Sequence, residues 1–149
     1  MIKMRRSEKN PILTPVADNI WEADGAFNGC PVRDGSNIHF VYRAVSPPQM
    51  IAGYELPLST VGYALSSDGV HFKNHRQFIK PEHDWEQFGC EDPRVTKLDG
   101  KFYIFYTALS AFPFDVDSIR VGVAITKDFQ KIDEKHSITP TPIISQLKK

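Results

Sequence analysis

The chain has 149 residues, of which 41% are apolar and 24% charged, the balance of a soluble globular domain and not of a disordered chain. Lysine plus arginine equals aspartate plus glutamate at 18 each, so no global field draws it to nucleic acid or to an anionic membrane, and an anionic ligand must be held locally. No run approaches the roughly 18 apolar residues of a membrane span, and the basic residues 1–9 lead into Asn10-Pro11 rather than an apolar stretch, so they do not read as a signal peptide.

In chain order, β-branched and aromatic runs between turn residues predict four short strands over residues 27–32, 38–45, 60–66 and 70–79. Asp34-Gly35-Ser36, a loop containing Pro47-Pro48, and Ser67-Asp68-Gly69 separate them. Four more follow over residues 92–98, 102–109, 119–126 and 129–138, with Asp99-Gly100-Lys101, a loop around Pro113 and Lys127-Asp128 between them. Asp and Gly suit such hairpins because they tolerate the positive φ that matches strand twist. No segment carries a helical period.

The second set repeats the first. A step of 64 carries Trp21-Glu22 to Trp85-Glu86, Gly25 to Gly89, Asn28 to Asp92, Tyr42 to Tyr106, Ala44 to Ala108 and Ser46 to Ser110. Further on, a step of 60 carries Val61-Gly62 to Val121-Gly122, Ala64 to Ala124 and Asp68 to Asp128, so loops absorb a length difference that strands do not. The second strands, Ile38-His39-Phe40-Val41-Tyr42 and Phe102-Tyr103-Ile104-Phe105-Tyr106, are apolar on both faces and predict sheets covered on both sides. Antiparallel four-stranded units with that requirement describe β-propeller blades; a sandwich of two sheets is the alternative.

The expectation is therefore an all-β, partial propeller domain over residues 1–149, with blade-like units at 21–80 and 85–138. Ile138-Thr139-Pro140 echoes Ile79-Lys80-Pro81, as if a third blade were starting in a truncated tail over 139–149. Two blades do not close a ring of about four to eight, which suggests the N-terminal part of a longer protein or a truncated reading frame.

Chemistry concentrates in Gly89-Cys90-Glu91-Asp92-Pro93-Arg94, where two carboxylates and a guanidinium enter an otherwise apolar strand start. Such a cluster is either an ion-pair network or a site. If the first strand of each unit lines the propeller axis, Asn28 and Asp92 sit side by side at one end of it, an amide and a carboxylate able to hold adjacent hydroxyls of a polar ligand. Alternatively, Glu91, Asp92 and Arg94 only brace the blade. Arg43, alone at the end of an apolar strand, is a partner for an acidic residue or a ligand clamp. Trp21 and Trp85 read as blade packing or as sugar platforms, and the loops over 47–57 and 109–117 as an acceptor rim or ordinary packing. His71 and His75 lack a third ligand for zinc, so no metal site is expected. Cys30 and Cys90 are too few for a disulfide scaffold and lack CxxC spacing, so both read as reduced buried thiols, with the cytoplasm as the default location.

Gly25-Ala26-Phe27-Asn28, Tyr42-Arg43-Ala44, the run from Gly62 to Phe72, the run from Gly89 to Thr96, and Tyr106-Thr107-Ala108 together resemble glycoside hydrolase family 130, over nearly the whole chain and in consistent order. The resemblance implies a five-bladed propeller and an inverting β-mannoside phosphorylase, with β-mannosidase as the alternative within the family and a non-catalytic carbohydrate-binding propeller beyond it. It implies that Asp92 is the general acid, delivering its proton through the mannose 3-hydroxyl, while inorganic phosphate, the co-substrate, attacks the opposite face of the anomeric carbon to give α-mannose 1-phosphate. It further implies that Asn28 and Arg43 contact the sugar beside the scissile bond, and that Arg94 holds Asp92 and Glu91 in place. No other cofactor is implied, and self-association stays open. Gly29-Cys30 departs from the Pro or Ser followed by Ala that is commoner in the family. The family's phosphate-binding residues come largely from later blades, so this portion is expected to be inactive alone.

Overall fold

The computed structural model describes residues 6–139. Two four-stranded antiparallel sheets follow one another, each a simple meander in chain order. The first comprises β1 (Gly25–Asp34), β2 (Asn37–Ile51), β3 (Tyr54–Ser66) and β4 (Lys73–Ile79). The second comprises β5 (Gly89–Leu98), β6 (Lys101–Leu109), β7 (Ile119–Thr126) and β8 (Glu134–Ser137). A single 3-10 turn leads into each sheet, at Ile20–Glu22 and Asp84–Glu86. The chain is thus all-β and built of two propeller-like blades. No helix among the described residues is long and apolar enough to cross a membrane.

Two stretches differ from the sequence expectation. The region expected as a loop over 47–57 is a continuation of the β2–β3 hairpin, with Pro48 opposite Pro57 and Ile51 opposite Tyr54. Proline lacks an N–H for the ladder, and the register shift between Val45 and Pro48 accommodates it. Ala52 and Gly53 close the hairpin, both at positive φ (48° and 90°), as a two-residue turn of this hand requires. The last strand is shorter than expected because Phe129 does not join it. Phe129 takes φ 58° and turns fully into the core, its N–H donating to Thr126 Oγ1.

The sheets pack face to face. Val41, Val61, Tyr63 and Ile79 of the first meet Cys90, Ile104, Tyr106, Ala108 and Ala124 of the second in one buried cluster. The opposite face of the first sheet carries Tyr42, Ala44 and Ala64 under Leu13, Trp21, Phe40 and Phe72. Both faces of β2 are therefore covered. On the second sheet, Phe105 occupies the position of Val41 one repeat later and is 39% exposed, because no described residue lies over it.

The repeat also marks an internal brace. Glu22 and Glu86 are fully buried, and each accepts a hydrogen bond from the tyrosine of the following second strand, Tyr42 and Tyr106, at 2.7 Å. Burial, reinforced by the neighbouring carboxylate, pushes both phenols well above the ordinary tyrosine range, so each hydroxyl donates. Asn19 adds a bond to Glu22 at 2.7 Å, with His75 Nδ1 at 3.6 Å. Glu86 has Lys135 Nζ at 2.7 Å and the Glu82 N–H at 3.0 Å. Each tyrosine ring lies over a glycine on the next strand. A Cβ on Gly62 or Gly122 would fall 2.4 Å from the Tyr42 or Tyr106 Cζ, closer than any non-bonded contact.

Because each ring is tied to its glutamate and cannot retreat freely, Gly122→Ala and Gly62→Ala are each expected to cost about 1–3 kcal/mol, the usual range for overpacking, measured by denaturant titration. Wild-type stability in either variant would refute the brace. His39 offers a second check. It is buried between Phe102 and Phe129 with Tyr63 Oη at 2.8 Å, and burial depresses its pKa below the ordinary value. The unfolded chain then binds the proton more readily, so the His39 contribution to stability should be flat above about pH 7. It should fall as pH drops through about 6.5, with a slope no steeper than about 1.4 kcal/mol per pH unit. His39→Gln should flatten that limb in thermal melts run across pH.

Candidate functional site

The site begins with two β-bulges. In β1 the register jumps between Phe27 and Cys30, and in β5 between Glu91 and Arg94. Asn28-Gly29 and Asp92-Pro93 are the bulged pairs, each set against a single tyrosine position of the neighbouring strand, one residue more than regular pairing needs. Bulges re-aim side chains and terminate regular pairing. Asn28 and Asp92 both adopt φ 51°, a left-handed conformation that costs most residues about 1–2 kcal/mol and that Asn and Asp tolerate best.

Packing the two sheets brings the bulges together. Asn28 Nδ2 donates to Asp92 Oδ1 at 2.7 Å. Arg43 reaches the same point from β2: its Nη2 lies 2.6 Å from Glu91 Oε1 and its Nη1 3.6 Å from Asp92 Oδ1. Arg43 Nε donates to Ser59 Oγ at 3.1 Å, and the guanidinium carbon stands 5.2 Å from the centre of the Phe27 ring. Both Asn28 and Arg43 address Oδ1 of Asp92, and no described residue bonds Oδ2. Asp92 is also the most exposed of the three charged side chains, at 39% against 24% for Arg43 and 18% for Glu91.

Arg94 supports the bulges through backbone carbonyls and not through the carboxylates. Its Nη1 donates to the carbonyls of Pro93 at 2.7 Å and Asn28 at 3.3 Å, groups that the bulges have freed from the ladder, and makes no ion pair with Glu91 or Asp92. The cation beside the carboxylates is Arg43. A recess of about 510 Å³ opens next to the Arg43–Glu91 pair, walled by Thr107, Leu109, Phe114 and Val116. A smaller hollow of about 180 Å³ touches Asp92, Arg94 and Phe105. The arrangement offers a polar ligand one free carboxyl oxygen, an anchored amide and an apolar wall.

The hairpin tip and the 109–117 loop meet through Tyr54 and Phe112, their rings 4.9 Å apart, and Phe114 stands edge-on to Phe112 at 5.1 Å. Trp21 and Trp85 lie against Tyr42 and Tyr106 at 6.4 and 6.2 Å, in packing positions. His71 bonds Asp68 at 2.7 Å and His75 neighbours Glu22, and no group of metal-ligating residues forms among the described residues. Cys30 and Cys90 are free thiols; Cys90 is buried and Cys30 only partly so. The sequence reading missed Ser59 and Phe27 as supports of Arg43. Phe27 stood beside Asn28 in a quoted motif, whereas Ser59 carried no signal.

The family model described as β-1,4-mannooligosaccharide phosphorylase matches residues 5–145. A β-1,2-mannobiose phosphorylase of Thermoanaerobacter sp. (strain X514) is 37% identical over 117 residues, 72% of this chain and 37% of that protein. A 1,2-β-oligomannan phosphorylase of the same organism is 33% identical over 145 residues, 95% of this chain and 47% of that protein. The chain thus spans less than half the length of these curated relatives. A solved structure from work on glycoside hydrolases that target β-1,2 mannosidic linkages in Candida mannan superposes with a TM-score of 0.69 at 26% identity, over 89% of this chain and 40% of the other.

The bulge conformation has a measurable signature. Asn28→Gly loses the amide donor but relaxes at positive φ, whereas Asn28→Ala loses the donor and keeps the strain. The alanine variant should therefore be the less stable by about 1 kcal/mol in denaturant titration; equal stability would mean that the bulge stores no strain.

Proposed function

The chain belongs to glycoside hydrolase family 130, the β-1,4-mannooligosaccharide phosphorylase family, and on that premise we propose that the full-length protein transfers mannosyl groups from β-mannosides to inorganic phosphate. The family is one of enzymes, and phosphate is the co-substrate of its phosphorylases. Asp92 is the proton donor in this reading. The observation that carries it is the one-sided anchoring of its carboxyl group: Oδ1 takes the Asn28 amide and faces Arg43, leaving Oδ2 for the substrate.

The chemistry runs as a single displacement. A phosphate oxygen forms a bond to the anomeric carbon from the face opposite the leaving sugar as the glycosidic C–O bond breaks. The proton on Asp92 passes through the mannose 3-hydroxyl to the departing oxygen. No enzymic base is needed because phosphate arrives as an anion, and inversion gives α-mannose 1-phosphate. Asn28 and Arg43 serve the donor sugar as well as Asp92, Asn28 through its amide oxygen and Arg43 from the recess wall. The β-1,2 linkage in the names of the curated relatives favours that linkage for the substrate. We place the phosphate-binding residues outside the described pair of blades, in a five-bladed ring to which residues 21–80 and 85–138 contribute two. The cytoplasm, with its phosphate pool, is the fitting compartment.

A hydrolase is the second reading, favoured by the hydrolases named with the superposed structure. Full-length protein given β-1,2-mannobiose should form mannose 1-phosphate only when phosphate is present, and Asp92→Asn should lower kcat by about 10²–10⁴, the usual worth of a general acid. Free mannose without phosphate would assign the hydrolase, and sugar binding without turnover would assign a non-catalytic propeller.

A further inference from the structure

Glu91 stands next to the proposed proton donor and has no assigned task beyond bracing. Its carboxylate holds Arg43 Nη2 at 2.6 Å, a full ångström closer than Arg43 Nη1 comes to Asp92 Oδ1. The guanidinium is also fixed in orientation, by Ser59 on Nε and by the Phe27 ring. We propose that Glu91 is a positioning residue that keeps the Arg43 fork occupied, so that Asp92 is oriented by the neutral Asn28 amide and is not captured in a bidentate ion pair. The inference rests on the reading of Asp92 as proton donor.

The physical reason is a conflict between two demands on one cation. Arginine and a carboxylate at adjacent positions tend toward a two-pronged pair, which favours the ionised carboxylate and ties up both of its oxygens. A general acid needs its proton and one free oxygen. A second carboxylate on the preceding residue of the strand resolves the conflict by taking the fork, at the cost of like charges side by side. The groups facing Asp92 fit this division. Arg43 reaches it from β2 and Asn28 from β1, while within β5 Glu91 precedes it and the Arg94 guanidinium is turned to the Pro93 and Asn28 carbonyls. Arg43 is thus the only charged side chain from a neighbouring strand in contact with Asp92 among the described residues.

Removing the Glu91 charge while keeping its shape should release the fork onto Asp92. In full-length Glu91→Gln, the carboxyl carbon of Asp92, followed by ¹³C NMR and assigned by its absence in Asp92→Asn, should titrate roughly one pH unit lower than in the unsubstituted protein, a tenfold change in proton affinity. The alkaline limb of kcat/KM should move with it, which a merely structural brace would not produce. In an Arg43→Gln background the same substitution should move the midpoint by less than a third as much, because only the loss of the neighbouring charge remains. Arg43→Met, which keeps an apolar stem over Phe27, serves if the glutamine variant does not fold. An unmoved midpoint in Glu91→Gln, or an equal fall with and without Arg43, overturns the proposal. Undiminished turnover in Asp92→Asn would instead overturn the proton-donor assignment, so the two failures are told apart.

Discussion

The buried contact between the two sheets is the constraint on which the site depends. Asn28 and Asp92 lie 64 residues apart and on different sheets, and they meet at 2.7 Å only because Val41, Val61 and Tyr63 of one sheet are seated on Ile104, Tyr106 and Ala108 of the other. A hydrogen bond between exposed polar groups is worth about 1 kcal/mol net and cannot hold two sheets in register. Burial of these side chains, at about 1.5–3 kcal/mol each, can. The polar cluster is thus a passenger on an apolar interface, and its geometry inherits the rigidity of close packing.

The same interface shows what a repeat conserves and what it leaves free. Both blades keep the buried glutamate, the tyrosine it accepts from and the glycine beneath the ring: the tyrosine bonds the carboxylate, and its ring leaves no room for a Cβ below it. The remaining partner is not kept: the His75 imidazole stands where the Lys135 ammonium stands one step of 60 later, at 3.6 and 2.7 Å from the respective carboxylates. A buried carboxylate needs polar partners for its oxygens, but not a particular side chain to supply all of them. The tyrosine and the leading 3-10 turn supply the fixed part.

Much of this was legible in the sequence for a specific reason. A strand that is apolar on both faces announces two covered faces, and a constant step between Trp-Glu pairs announces equivalent blades. The pairing of Asn28 with Asp92 followed from the step together with the expectation that the first strand of each unit lines the propeller axis. What the sequence did not disclose was direction. Residues 47–57 read as a loop because two prolines interrupt a strand pattern, yet paired prolines at a bulge continue it. Arg94 read as the partner of Glu91 and Asp92 through adjacency, whereas successive residues of a strand point to opposite faces and a bulge turns them again. The cation that does reach the carboxylates comes from β2, one sheet away, and no local pattern reports a contact of that range. Ser59, which fixes its orientation, is one hydroxyl among many.

The four polar residues at the bulges divide their work by charge and by reach. Arg94, long and cationic, spends its donors on carbonyls that the bulges expose, and so stabilises the backbone that aims Asn28 and Asp92. Arg43, equally long, arrives from the neighbouring sheet and meets two acids at unequal distances. Asn28 is short and neutral, able to orient a carboxyl group without favouring its ionised form as strongly as a cation would. Were Asn28 a second arginine, Asp92 would be held more tightly, a handicap in the proton-donor role proposed for it; were it apolar, the left-handed bulge would lose the side chain that steadies Asp92. An amide at that position meets both demands, and it gives the Asp92 carboxyl a donor where a second carboxylate would have set two like charges against each other.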